Sequence, residues 1–342
     1  MKEFAGCEPL YGLKTGLNEA YLIDSDRADS LVAQDPRLAE MIRPYLRGQD
    51  VGRWAVEDSG LRMIVLRSSD NHPWPWAEAR DPEAIFQATH PTLHAHLKAH
   101  EAKLRARTDQ GRYWWELRSC AYYEKFEQPK IVYQEIQFHP RYALNGGFYG
   151  NNKVFFLPTD DLYLLGVLNS PLAWWYNWRY LPHMKDEALT PAAFKMVDMP
   201  IAEPPPHLRA EVNTLVARLI ALTMADQEAT HILLDWLRGE HGIDKPGTSL
   251  EDFGALTYAA FEAEVKKRRA KAQGSLKPAH VQGLREAWQT YGKPTAVRRL
   301  QSAKLEAEVA RLVEQAYGLT ADDVRLLWQT APPRMPGVAP GL

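Results

Sequence analysis

The chain has 342 residues, of which 45% are hydrophobic and 25% are charged, an ordinary composition for a globular protein. Its net charge of −2 gives no overall basic field, although one basic face can be offset by an acidic one elsewhere. Two cysteines provide neither a disulfide framework nor a zinc quartet, and no apolar run approaches the roughly 20 residues that span a bilayer. Because a signal-peptide pattern is also absent, we expect a soluble cytoplasmic protein with no membrane partner.

The first 70 residues are predicted to contain short strands around a helical passage. Glu19–Ile23 favours a strand that follows a glycine-containing turn. Asp24–Tyr45 is predicted to be helical, with a proline at a first helical position, and Leu61–Leu66 alternates enough to form a strand. Arg47 and Arg53 come just after the predicted helix, where they either contact DNA phosphates or belong to a solvated arginine face.

A rigid loop and a histidine-bearing helix come next. Asn71–Glu83 contains three prolines and two tryptophans, which indicates an extended loop. The helix that follows ends at Arg107, and His90, His94 and His96 near its start suggest a metal site at first sight. No cysteine or carboxylate stands at a conventional spacing, so we reject metal binding and interpret the segment as a solvated helix with a cationic side.

The stretch Trp114–Leu168 organises this half of the chain. Two runs rich in β-branched and aromatic residues, Ile131–Phe138 and Lys153–Leu157, flank a glycine-rich segment, Asn145–Asn152. This pattern predicts two strands with a hairpin-like connection. An apolar run, Tyr163–Leu168, closes the stretch.

The side chains of this stretch are suited to hydrogen bonding with base edges. Such contacts use arginine or lysine for guanine, asparagine or glutamine for adenine, and a carboxylate for cytosine. Residues of these types lie on or beside the two predicted strands: Arg118, Gln134, Glu135, Asn151, Asn152 and Lys153. Gln134 and Glu135 face opposite sides of a strand, so at most one of them points at a groove. We expect a minority of the six to contact a base and the rest to be hydrogen-bonded supports or solvent-facing.

A metal-dependent nuclease is a weaker alternative for the same strand. Glu135-Ile136-Gln137 resembles a degraded form of a nuclease strand motif. That motif needs a second carboxylate on a neighbouring strand and usually a lysine two positions after the glutamate. Gln137 occupies the lysine position, and no convincing aspartate precedes it.

The second half of the chain is predicted to be helical. Trp174–Tyr180 is interpreted as a helix that packs on the sheet rather than as a stacking platform for a base. Pro204–Pro206 marks a linker, and helical periodicity dominates after it, including Phe253–Ala272, which becomes cationic towards its end. We therefore predict an α+β recognition domain, a helical domain and a flexible tail: residues 1–203, 204–330 and 331–342.

Four blocks of sequence, in order over Thr15–Pro200, carry a family resemblance. They are Thr15–Tyr21, Ile42–Trp54, Lys130–Ile136 and Leu164–Ser170. With these blocks the chain resembles the TaqI-like specificity domain, the C-terminal target recognition domain of type II restriction-modification methyltransferases that modify adenine. The resemblance implies a β-containing DNA-binding domain followed by helices, working in a restriction-modification or phage-defence system.

The resemblance also implies a division of labour. It implies that this chain recognises a specific sequence in double-stranded DNA. The chain would then position that DNA for a methyltransferase domain or subunit. The candidate DNA-binding residues are Arg47, Arg53, Arg118, Lys130, Gln134, Glu135, Asn151, Asn152 and Lys153. The family methylates adenine with a glycine-rich loop for S-adenosylmethionine and an Asn/Asp-Pro-Pro-aromatic motif for the flipped base.

This sequence contains neither of those two motifs. We therefore expect no catalytic residue, no cofactor and no metal in this chain, with S-adenosylmethionine bound by the partner. The alternative from a different class is a protein-interaction scaffold that makes no contact with DNA.

Overall fold

Strands and helices are segregated along the chain. In the structure, a computed structural model that describes residues 1–269 and 273–339, every strand lies before Pro158. The strands are β1 (Leu10–Tyr11), β2 (Leu22–Asp24), β3 (Ile42–Leu46), β4 (Trp54–Ala55), β5 (Leu61–Ile64), β6 (Lys130–Gln134), β7 (Tyr142–Asn145), β8 (Tyr149–Gly150) and β9 (Val154–Leu157). This arrangement is the α+β fold with a helical C-terminal region that the sequence predicts.

The helices are short in the first part of the chain and long in the second. The helices before residue 204 are α1 (Lys2–Ala5), α2 (Asn18–Tyr21), α3 (Ser25–Gln34), α4 (Pro82–Thr89), α5 (Pro91–Lys98), α6 (Glu101–Ala106), α7 (Leu162–Leu168), α8 (Pro171–Tyr180) and α9 (Ala193–Met196). The later helices are α10 (Pro206–His241), α11 (Gly247–Glu251), α12 (Tyr258–Arg268), α13 (Pro278–Ala287), α14 (Lys293–Ala316) and α15 (Ala321–Gln329).

The chain divides into two compact units between Glu203 and Pro204. The first unit is Met1–Glu203 together with Thr330–Pro336, and the second, helical unit consists mainly of Pro204–Gln329. No helix within residues 1–269 and 273–339 combines the length and apolar character needed to cross a membrane.

Two sheets form the centre of the first unit. The larger has the strand order β1-β9-β6-β7-β4, and the smaller has the order β2-β5-β3-β8. The segment from Tyr142 to Gly150 contributes β7 to the larger sheet and β8 to the smaller one. Pairing is antiparallel except between β4 and β7 and between β3 and β8, which are parallel.

The two strands predicted around the glycine-rich segment do pair with each other. β6 and β9 are antiparallel neighbours, with Val132 opposite Phe156 and Gln134 opposite Val154. The connection between them is not a simple hairpin turn, because β7 pairs with the other edge of β6 and β8 joins the other sheet. The strand pairing was therefore predicted correctly, whereas two short strands inside the connection were missed.

The predicted helical passage after Asp24 is shorter than expected. α3 is followed by a 3-10 turn at Pro36–Glu40, and β3 then begins at Ile42. The prediction of a helix through Tyr45 was wrong, because antiparallel pairing of Ile42 with Ile64 recruits this segment into a sheet. The predicted strand Glu19–Ile23 is also corrected, since α2 occupies its first half and β2 its end.

The core of the first unit is rich in aromatic side chains. Trp76, Trp115 and Phe86 are fully buried, and the Phe86 and Trp115 rings stack with centroids 5.2 Å apart. A buried carboxylate, Glu116, lies beside them and accepts hydrogen bonds from Trp76 Nε1 at 2.9 Å and from the backbone N–H of Ser69 at 3.0 Å. The buried carboxylate is therefore satisfied by fixed donors, as a buried charge requires.

The helical unit has its own core. α10 is a continuous helix of 36 residues. Its Leu233 and Leu237 are buried with Phe261, Val265 and Leu284 from the shorter helices. The predicted helix Phe253–Ala272 is replaced by a 3-10 turn and α12, and its last residues, 270–272, lie outside the described residues.

The predicted flexible tail begins with an anchored segment. Trp174, which is buried as the sequence prediction of core packing requires, donates from Nε1 to Pro333 O at 2.9 Å. Trp175 Nε1 donates to Thr330 Oγ1 at 2.9 Å, and Arg334 donates to Asp186 O at 3.2 Å. Thr330–Pro336 therefore belongs to the first unit, and residues 340–342 lie outside the described residues.

Candidate nucleic-acid interface

Three of the nine candidate residues line one open recess on the first unit. Arg118, Glu135 and Asn152 share this recess, which has a volume of about 440 Å³. The other residues that line it are Tyr11, Gly12, Leu13, Lys14, Ser119, Cys120, Ala121 and Tyr122. The recess therefore combines cationic, amide, carboxylate and aromatic groups at one place. We call it the β1–β9 recess, because these two paired strands lead into it.

Strand pairing determines the position of the polar residues in the recess. Tyr11 on β1 lies opposite Phe155 on β9, and Gly12 N–H continues the pairing by donating to Val154 O at 3.0 Å. The turn that leads into β9 is closed by Asn151, whose Oδ1 accepts from Lys153 N–H at 2.9 Å. Asn151 therefore acts as a turn residue, and this turn places Asn152 in the recess.

Gly12 is required where β1 meets this turn. A Cβ on Gly12 would overlap the backbone oxygens of Gly150 and Asn151. Because backbone atoms cannot rotate away as a side chain can, the close approach depends on glycine at this position.

The cations of the recess are exposed and weakly paired. Lys14 and Arg118 have side chains that are 51% and 64% exposed. Both lie near Asp109, with N···O separations of 3.8 Å for Lys14 and 3.4 Å for Arg118. Exposed ion pairs of this kind contribute up to about 1 kcal/mol, so a phosphate can readily replace the carboxylate as a partner.

Glu135 and Lys153 form a second ion pair at the recess. Glu135 Oε2 lies 2.5 Å from Lys153 Nζ, and the backbone N–H of Glu135 donates to Lys153 O at 2.9 Å. The side chain of Glu135 is 28% exposed and that of Lys153 is 58% exposed. The carboxylate is therefore fixed in orientation at the edge of the recess, and it retains acceptor capacity for a ligand.

A buried arginine fixes the chain next to Lys14 and Arg118. Arg107 is 8% exposed and donates to Thr15 O at 2.7 Å, to Trp114 O at 2.9 Å and also to Glu116 O. Its guanidinium carbon lies 4.9 Å from the centre of the Tyr21 ring. Arg107 thus ties the segment after β1 to the residues that precede Arg118.

Arg47 and Gln134 serve a different loop. Arg47 forms two hydrogen bonds with the buried carboxylate of Asp50, from Nε at 3.0 Å and from Nη2 at 2.8 Å. Gln134 Nε2 donates to Gly48 O inside the same turn. Both side chains therefore support the loop between β3 and β4 in this structure, and neither lines the β1–β9 recess.

Arg53 is also held by the protein. Its Nη2 donates to Asn169 O at 3.0 Å, and its guanidinium carbon lies 5.3 Å from the centre of the Trp54 ring. These contacts join the residue before β4 to the end of α7. In this structure Arg53 therefore packs against its neighbours at the edge of the larger sheet.

Lys130 does not fit the DNA-contacting role expected from the sequence. Its side chain is 1% exposed, and Nζ donates to Phe126 O at 2.6 Å and to Gln128 O at 3.3 Å. Burial lowers the pKa of Lys130 to about 8. A buried amine at the start of β6 cannot reach a phosphate or a base, so Lys130 is corrected to a structural residue.

The buried amine predicts a pH dependence of stability. Between pH 8 and about 10.4, an unfolded lysine is protonated while folded Lys130 has lost its proton. The unfolded state therefore binds more protons, and raising the pH stabilises the folded state. We expect the free energy of unfolding of the wild type, relative to Lys130→Met, to rise between pH 8 and pH 10 in urea titrations. Parallel pH profiles for the two proteins would contradict this prediction.

The nuclease alternative gains no support from the arrangement around Glu135. Gln137, which occupies the lysine position of the motif, is buried. Its backbone N–H and C=O groups form hydrogen bonds with the backbone of Leu189. Within residues 1–269 and 273–339, no group of three His, Cys, Asp or Glu side chains is placed to hold a metal ion.

Among the recess residues that sequence reasoning missed, three carry aromatic or cationic side chains. Tyr11 and Tyr122 supply the aromatic surface of the recess, and Lys14 supplies a second cation. Tyr122 lies 111 residues after Tyr11, and all three residues lie outside the two strands on which the prediction concentrated. The local signal for them was Gly12, which follows Leu10 and Tyr11 and precedes Leu13. A glycine within such an apolar run allows another backbone segment to approach closely.

The fold is similar to part of one solved restriction-modification enzyme. The chain is similar to a solved structure of the type IIL restriction-modification enzyme MmeI in complex with DNA, with 10% sequence identity and a TM-score of 0.52. The similarity covers 95% of this chain and 35% of that enzyme's chain, so this chain spans about a third of its length. A family model described as a domain of unknown function (DUF8810) matches residues 205–313. No curated protein matches the chain.

Proposed function

We propose that this chain is the DNA target recognition module of a restriction-modification enzyme. The observation that carries the proposal is the similarity in fold, over nearly the whole chain, to part of an enzyme whose structure was solved with DNA. The β1–β9 recess adds chemical support, because Lys14 and Arg118 suit phosphates while Asn152 and Glu135 suit base edges.

The proposed partner is an adenine-specific methyltransferase domain or subunit. The sequence lacks that reaction's glycine-rich and Asn/Asp-Pro-Pro-aromatic motifs, so a partner would bind S-adenosylmethionine and hold the flipped adenine. In this division of labour, the present chain selects the DNA sequence and fixes the orientation of the duplex. The role agrees with the resemblance to TaqI-like specificity domains.

The cations of the recess provide a direct test of DNA binding. We expect Lys14→Glu combined with Arg118→Glu to weaken binding of a fluorescently labelled duplex about tenfold or more in anisotropy titrations. Two lost phosphate contacts should also reduce the slope of log K against log salt concentration by about 2. The matched control is Arg80→Glu combined with Lys185→Glu, because both residues are exposed on the first unit, outside the recess, and the charge change is the same.

Two results would count against this function. Equal losses of affinity in the two double variants would mean that net charge, and not the recess, determines binding. Absence of salt-sensitive binding in the wild type would exclude DNA recognition by this chain and favour a protein-interaction scaffold.

A further inference from the structure

We propose that the β1–β9 recess receives one unpaired nucleotide of the bound DNA. This inference rests on the proposed function, and it adds a ligand class to the same site. The recess volume of about 440 Å³ is within the range of about 300–1,000 Å³ that is typical of small-molecule pockets. A flat phosphate-binding surface would not require such a concave site.

The aromatic lining favours a base whose faces are free. Tyr11 is 48% exposed although its ring packs on Phe155, with centroids 4.7 Å apart. Tyr122, also in the lining, donates from its hydroxyl to Tyr11 O at 3.2 Å, so the two residues are tied together. In a duplex, neighbouring base pairs cover both faces of each base. An aromatic side chain can therefore stack only on a base that has left the duplex stack.

The polar groups of the recess suit a base with an exocyclic amino group. Glu135 is held by Lys153 through Oε2, so Oε1 can accept from an amino group. The side-chain amide of Asn152 offers both a donor and an acceptor to the same edge. Cytosine, adenine and guanine carry such amino groups, whereas thymine presents only carbonyl oxygens and a ring N–H, so the recess should discriminate against thymine.

The exposed cations can bind the phosphate of the same nucleotide. Lys14 and Arg118 lie on the wall of the recess, and their long, exposed pairs with Asp109 can be exchanged for a phosphate. Stacking surface, base-edge acceptor and phosphate partners are thus collected in one cavity. These are the three parts that recognition of a single nucleotide requires.

The test compares duplexes that differ by one extra nucleotide. We expect the full chain to bind a duplex with a single bulged dC or dA about tenfold more tightly than the fully paired duplex, with a smaller preference for bulged dT. Tyr11→Ala should abolish the ratio between bulged and paired duplexes, while Tyr180→Ala should retain it. Tyr180 is a matched control, because it is a 62% exposed tyrosine of the same unit that does not line the recess.

A second variant tests the base edge without removing a ring. Glu135→Gln should reduce the difference between bulged dC and bulged dT, because an amide replaces the charged acceptor. Salt-sensitive binding with equal affinity for bulged and paired duplexes would overturn this inference and leave the proposed function standing. A preference for bulges that survives both Tyr11→Ala and Glu135→Gln would place the nucleotide elsewhere and also overturn it. No binding to any duplex would instead contradict the proposed function.

Discussion

Arg107→Ala should lower the free energy of unfolding by about 3 kcal/mol or more. The side chain is buried and donates to the carbonyl oxygens of Thr15, Trp114 and Glu116. Its removal leaves Thr15 O and Trp114 O without this donor, whereas Glu116 O still accepts from the N–H of Gly111 at 3.2 Å. Each buried unsatisfied group costs about 1–3 kcal/mol. Water entering the space would recover part of that cost. Urea unfolding followed by tryptophan fluorescence measures the effect, because the first unit holds eight of the eleven tryptophans.

The matched control for Arg107 is its near neighbour Arg105. Arg105 is 52% exposed and pairs on the surface with Glu83 and Glu101. Surface pairs contribute up to about 1 kcal/mol, so Arg105→Ala should have a small effect. Similar losses for the two variants would show that the buried hydrogen bonds of Arg107 contribute little beyond general charge effects.

Gly12→Ala should lower the free energy of unfolding by about 2 kcal/mol and also weaken DNA binding. The added methyl group would overlap the backbone oxygens of Gly150 and Asn151, so β1 or the turn before β9 must move. Overpacking of this type typically costs about 1–3 kcal/mol. Because the same turn places Asn152 in the recess, its displacement should disturb the proposed DNA-binding groups as well. Urea unfolding and anisotropy titrations measure the two effects separately.

Gly146→Ala is the control for the glycine substitution. Gly146 lies in the connection between β7 and β8, and a Cβ there meets no heavy atom within 4 Å. Substitutions at such sites usually change stability by less than about 0.5 kcal/mol. If Gly12→Ala were as mild as Gly146→Ala, the close approach of β1 to the turn would not be important for the recess.

Patterns that depend on neighbouring residues were read correctly from the sequence. The runs that became β6 and β9 are dense in β-branched and aromatic residues, and they pair as expected. The helix through Trp174–Tyr180 was also recognised, since the spacing of its tryptophans is a local signal; the observed helix begins at Pro171. The α+β class follows from such signals.

Long-range pairing limited the rest of the fold prediction. The segment Ile42–Leu46 has apolar residues at helical spacing, yet it pairs with β5 and β8, which follow it by about 20 and 100 residues. Tertiary contacts of this kind override local propensity. The short strands β7 and β8 were missed for the same reason, because each consists of two to four residues and is defined by its partner strand.

For the candidate site, the type of a side chain predicted its place in the recess better than its position in the sequence did. Arg118, Glu135 and Asn152 meet in one recess although they come from three separate segments. Lys130 has an equally suitable side chain, but it is buried and donates to Phe126 O. Sequence alone gives the inventory of cations and amides, and only the folded chain decides which of them face outward.

The segment Tyr142–Gly150 has a mechanical consequence for the first unit. It supplies a strand to each sheet, and a span of only three residues, Gly146–Phe148, separates the two strands. A shift in the register of one sheet would therefore displace the strand in the other sheet, because only three residues connect the two strands. The two sheets are coupled in this way into a single cooperative block, which provides a stiff platform for the residues at its rim.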